Sequence, residues 1–387
     1  MVEKEIVKKH YKDHQYKQRL FFVSCVLIDG KMYSVTNLGK IPIRVDIEKQ
    51  EITCIDRWDK ENAINPAIMI ADDDDIYLFE TEGYYMVKYN IFNNQYHKFK
   101  IDCHTYDWGN YVACVKYKKN IYIFPKYMSK IVKVDIEKNI VISDLIYYLD
   151  SKKEEINFEC GIQDNNLLWL FQKEGNLVTA YDMETNTWKN YALPQKVEFC
   201  AHVVLRKGIF YILSMEGRVY SWDIQANSMR MIGDCSHKIK GTNSFGRIVV
   251  TDGIIYLLPA FSELIYKIDV ETGEAEVFND YPKDFQYIEP EGWGRYSGYC
   301  EDEEFYYFAM CSSAYILCIN KKSGLIKWIC PQISRENYFN AQIKYSGIVF
   351  EKDAWNTKDL IDIKTSLIKG DEKLDLVRKQ IWGQLKK

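Results

Sequence analysis

Apolar residues run along this chain in short bursts separated by polar clusters rich in Asp, Asn, Gly and Lys. The stretch from Phe158 shows the pattern most clearly. Phe158 to Ile162 is followed by Asp164-Asn165-Asn166, Leu167 to Phe171 by Lys173-Glu174-Gly175-Asn176, and Leu177 to Tyr181 by Asp182 to Asn186, and Thr187 to Tyr191 closes the run. Bursts of strand length bounded by turn-forming residues predict four consecutive β-strands.

The same group of four recurs. An aromatic follows a turn-like cluster at Tyr33, Tyr77, Tyr122, Trp169, Tyr211, Tyr256 and Tyr307. Thirteen residues later, twelve in the fifth unit, comes an Asp or Asn after an apolar or aromatic residue, at Asp46, Asn90, Asp135, Asp182, Asp223, Asp269 and Asn320. These seven pairs recur at intervals of about 45 residues. Asp and Asn suit a tight turn there, because their side chains bond nearby backbone and tolerate left-handed dihedrals. Units of this length with four strands each predict an all-β fold, a seven-bladed β-propeller of four-stranded antiparallel blades. One blade cannot cover both its apolar faces, so neighbouring blades cover them, and the recurring aromatics become blade-to-blade fillers.

The segment Tyr181-Asp182-Met183-Glu184-Thr185-Asn186-Thr187-Trp188 resembles the third-strand tyrosine, turn and fourth-strand tryptophan of kelch repeats. Ile319-Asn320 to Trp328 is a second match, while the double glycine of that family is missing from every unit. The resemblance implies a kelch-like propeller.

Composition narrows the class. The 387 residues carry 30 Tyr, 18 Phe and 9 Trp against 8 Pro, which favours strands. A net charge of -4 argues against a basic nucleic-acid binder. No apolar run reaches the ~18 residues of a membrane span. The run from Leu20 to Ile28 is too short for a signal segment and lacks a cleavage site, so a cytoplasmic protein is expected. The 11 cysteines contain no CxxC pair, which reads as buried reduced thiols and not as a zinc or disulfide framework.

The propeller is expected over residues 20–350, with an N-terminal arm at 1–19 and a helical tail at 351–387. In the tail Leu374, Val377, Ile381 and Leu385 fall on one helical face, with Trp382 beside them. Such a helix packs on the ring or docks a partner, and the pattern leaves both open.

Candidate chemistry is sparse. Three units carry an aromatic-Gly pair just before the expected innermost strand: Trp108-Gly109-Asn110-Tyr111, Phe245-Gly246-Arg247-Ile248 and Trp293-Gly294-Arg295-Tyr296, the last beside Glu289 and Glu291. Glycine lets backbone approach the axis, and aromatics with Arg can stack on a ring or clamp a carboxylate or phosphate. The alternative is that these aromatics wedge between blades. The Asp72 to Asp75 run reads as a solvated turn, and His104 near Asp107 and His202 near Glu198 as ordinary polar residues. No catalytic, metal or cofactor motif appears. The expected function is a non-catalytic scaffold recognising a protein or peptide on one face. The alternatives are a sugar or small anionic ligand at the channel mouth, or a propeller lyase or hydrolase.

Overall fold

The computed structural model describes residues 22–36, 42–55, 64, 66–101, 111–126, 130–146, 158–236, 245–260, 264–283, 285, 295–311, 313 and 315–333. They form seven sheets, each built on four antiparallel strands consecutive in sequence. The first strands are Phe22–Ile28, Pro66–Asp72, Tyr111–Tyr117, Phe158–Asp164, Cys200–Arg206, Phe245–Val250 and Gly298–Glu301, and they define blades 1 to 7. First strands of neighbouring blades pack on one another, so they are the innermost strands of a ring. The result is a seven-bladed propeller. The expected N-terminal arm, the C-terminal helix with Leu374, Val377, Ile381, Trp382 and Leu385, and the stretch from 334 to 350 lie outside the described residues.

The seven Asp and Asn markers all do one job. Each accepts, through a side-chain oxygen, from the main-chain N–H two or three residues on, as Asp182 does from Glu184 and Thr185 at 2.8 and 3.1 Å and Asn320 from Lys322 and Ser323 at 3.1 and 2.9 Å. The other five, Asp46, Asn90, Asp135, Asp223 and Asp269, make the same kind of bond. The left-handed backbone is not at the marker itself but four residues later, at Gln50, Asn94, Asn139, Asn186, Asn227, Gly273 and Gly324. The side chain closes the turn, and the later residue supplies the positive φ that returns the chain into the fourth strand.

The second-strand aromatics are wedges. Tyr77, Tyr122, Trp169 and Tyr256 are each under 5% exposed. The Tyr122 hydroxyl donates to the Met183 carbonyl at 3.2 Å, and that of Tyr256 to the Gly324 carbonyl at 2.7 Å, each in the third turn of the next blade. One side chain thus buries its ring between blades and pins the neighbour's turn. Phe210 stacks on Trp222 with centroids 5.3 Å apart, against Trp169 and Phe171 of the preceding blade.

Closure of the ring uses a short extra strand. Gln332–Ile333 leaves blade 7 and pairs in parallel with the outer strand of blade 1, Gln332 opposite Glu51 and Ile333 opposite Ile52. Blade 1 therefore has five strands. Inside the ring the same seam is held by the Phe22 N–H donating to Met310 O at 2.9 Å and by the Ser297 hydroxyl donating to Phe22 O at 2.9 Å.

Candidate binding site between blades 6 and 7

Six of the innermost strands carry a bulge close to their start. A bulge bends the strand and re-aims the next side chain. In blades 2 to 6 the residue that follows it is Ile68, Ala113, Cys160, His202 and Arg247, and Gly298 holds the matching register place in the unbulged strand of blade 7. Four of the six are small or apolar. His202 and Arg247 are adjacent and basic.

Blades 6 and 7 share an apolar core that includes Val249, Leu258, Tyr296 and Phe308, and the Arg295 N–H donates to Ala260 O across their junction at 3.0 Å. Arg247 spans that junction. Its Nε donates to Tyr296 O at 2.8 Å and its Nη2 to Ser297 O at 2.9 Å. Tyr299 returns from blade 7, with its ring centroid 5.9 Å from the guanidinium carbon. Tyr299 is 37% exposed although it sits on an innermost strand. Phe308 and Tyr306 back its ring at 5.4 and 6.3 Å.

The electrostatics are one-sided. Burial lowers the pKa of Arg247, against small upward effects of Tyr299 and Cys25. His202 falls from 6.5 to about 3, mainly through burial and then through the Arg247 charge. Its Nδ1 is sealed from solvent with no hydrogen-bond partner. Burial and the Glu301 carboxylate raise the Tyr299 phenol. Glu301 itself pairs with Lys321 at 2.7 Å. Among the described residues no carboxylate pairs with Arg247, and buried cations ordinarily have such a partner.

The other sequence candidates fall in different places. Phe245 is 1% exposed and edge-on to Tyr266 at 5.6 Å, in the core between blades 5 and 6. Tyr111 donates its hydroxyl to Glu80 O at 2.8 Å and packs edge-on to Phe79 of blade 2. Tyr296 and Arg295 are each 3% exposed. The rings of Phe245, Tyr111 and Tyr296 are therefore engaged in packing. Trp108, Trp293 and Glu291 lie outside the described residues. Glu198 pairs with Lys196 at 3.7 Å, apart from His202. The Asp72 to Asp75 run turns through a left-handed Asp73, with Asp72 paired to Lys116 and Asp75 to Lys88.

The opposite end of the ring makes a useful contrast. A depression of about 510 Å³ there is lined by Asp72, Asp75, Tyr77, Lys88, Lys118 and Glu137, among others. Its charges are matched, Asp75 with Lys88 at 2.8 Å and Lys119 with Glu137 at 3.4 Å. At the turn between the first and second strands of blade 5, Arg206 donates to Val250 O, Asp252, the Tyr306 hydroxyl and Lys321 O, at 2.8 to 3.2 Å, and so ties three blades together.

No family model and no curated protein matches this chain. Solved structures do. PorZ, a surface component of the type-IX secretion system of Porphyromonas gingivalis, aligns with a TM-score of 0.53 at 11% identity over 81% of this chain and 39% of its own. The extracellular domain of a hybrid two-component system from B. thetaiotaomicron aligns at 0.56 and 12% identity over 78% of this chain and 41% of its own. This chain thus spans well under half the length of either. U3-55K aligns at 0.51 and 10% identity, over 76% of this chain and 91% of its own. Likeness at such identity establishes the propeller fold and nothing finer.

Proposed function

We propose that this chain is a non-catalytic recognition module, a seven-bladed ring that binds a protein or peptide partner at the end of its channel where the innermost strands begin. The supporting observation is the pairing of Arg247 with the partly exposed Tyr299 across the junction between blades 6 and 7. Tyr and Arg are the residues most enriched among binding hot spots, because a rigid amphipathic ring and a planar cation give much contact for little lost freedom. Phe308 and Tyr306 hold the Tyr299 ring in place before any partner arrives. A cytoplasmic setting is part of the same proposal, and the free state of the described cysteines supports it.

Binding of the purified ring to a peptide array tests this. Tyr299→Ala weakens the selected peptides about tenfold or more, the loss of one hot-spot residue. Phe92→Ala, at an 85% exposed position in a turn of blade 2, leaves them unchanged. Selected peptides that ignore Tyr299→Ala, or that respond equally to Phe92→Ala, would remove the site from blades 6 and 7.

A further inference from the structure

We propose that the junction between blades 6 and 7 is an oxyanion-binding site, in which the Arg247 guanidinium receives a carboxylate or phosphate group. This rests on the recognition reading above and names the ligand class of that same site.

The guanidinium carries five N–H donors in a planar fork. Two atoms, Nε and Nη2, are engaged by the main-chain oxygens of Tyr296 and Ser297. Among the described residues Nη1 has no acceptor. Tyr299, whose phenol is raised by burial and so stays neutral near pH 7, does not supply a counter-charge to Arg247. Two carbonyl oxygens hold the arginine in position, but they do not neutralise it.

His202 sharpens the argument. It shares the register place of Arg247 on the neighbouring strand, and its Nδ1 is buried without a partner. Burial and the Arg247 charge keep His202 neutral, so the guanidinium is the one charge of the pair, and no acid among the described residues pairs with it. Other charges near the channel have partners of opposite sign, as Asp72 has Lys116, Asp252 has Arg206 and Lys207, and Glu301 has Lys321. An oxyanion on the guanidinium of Arg247 would give it the same compensation. The partly exposed ring of Tyr299 forms an apolar wall beside it. A planar fork favours a ligand that accepts through two oxygens, which both carboxylate and phosphate supply and chloride does not.

The test uses the full chain with labelled histidine. The His202 imidazole resonance is titrated with sodium phosphate and, separately, with sodium acetate, at fixed ionic strength set by chloride. A saturable shift, and a His202 pKa raised by about one unit when the anion offsets the Arg247 charge, is the expected result. Response to acetate identifies a carboxylate site and response to phosphate a phosphate site. Arg247→Gln should weaken the response at least tenfold, and Arg247→Lys, which keeps charge and a donor, should retain part of it. A flat titration in the wild-type ring, or an equal response in a folded Arg247→Gln ring, overturns the assignment. If the anions do nothing while peptide binding still depends on Tyr299, the oxyanion site falls and the recognition reading stands. An anion response without Tyr299-dependent peptide binding gives the reverse outcome.

Discussion

His202 makes the stability of the ring depend on pH in a way that can be isolated. Its imidazole titrates near 6.5 in an unfolded chain and near 3 in the folded one. The depressed value means that the neutral ring is favoured by folding. The contribution is complete above pH 6.5 and is lost as pH falls towards 3, because the unfolded chain then binds a proton that the folded chain refuses. Each pH unit in that window is worth about 1.4 kcal/mol. Between pH 7.5 and 4.5 the loss is about 2.5 kcal/mol, and this figure hardly changes if the folded pKa is a unit higher. The assay is urea unfolding at pH 7.5, 5.5 and 4.5 for the wild-type ring and for His202→Leu. Subtracting the two removes other titrating groups, among them Asp252, which Lys207 and Arg206 hold at about 2. The stability difference should move towards the variant by about 2.5 kcal/mol over that range. A difference constant to within ~0.5 kcal/mol would show that His202 protonates freely in the folded state, and the account of the site would lose its electrostatic basis.

Three further outcomes follow from packing. Gly217 has φ of 91°, and a Cβ there would lie 2.6 Å from Cε2 of Phe245, so Gly217→Ala should cost about 2–3 kcal/mol in chemical denaturation. Arg206→Ala strands acceptors on blades 6 and 7 and should cost about 2–4 kcal/mol, while Arg206→Lys recovers only part because one ammonium cannot reach all four acceptors. Ile333 is 2% exposed on the two-residue closing strand, and Ile333→Ala should destabilise by about 2–4 kcal/mol and increase amide exchange in the outer strand of blade 1 before other blades.

The propeller was readable because its strands are local. Each blade is four consecutive strands, and the Tyr and Asp markers repeat in step with them. Within a turn the reading stopped one feature short. The side chain of Asp182 was legible as a turn former, but the left-handed backbone belongs to Asn186, and the same offset holds in all seven units. Long-range features left little trace. Arg206 reaches partners 44 to 115 positions away, which no local pattern encodes. The closing strand is two residues long and has no periodicity to find. At the site, Arg247 stood out through the Phe-Gly-Arg sequence, yet Phe245 beside it is engaged in packing. Tyr299 carried no motif, and only its position across from Arg247 marks it. His202 became notable only when strand register set it next to Arg247.

Hydrogen–deuterium exchange of the full chain with and without a bound acidic peptide tests the central claim most directly. Protection should concentrate in Phe245–Val250 and in Gly298–Glu301, the strands that carry Arg247 and Tyr299. Protection confined instead to the outer turns around Phe92 or Leu325, with those two strands unchanged, would contradict it.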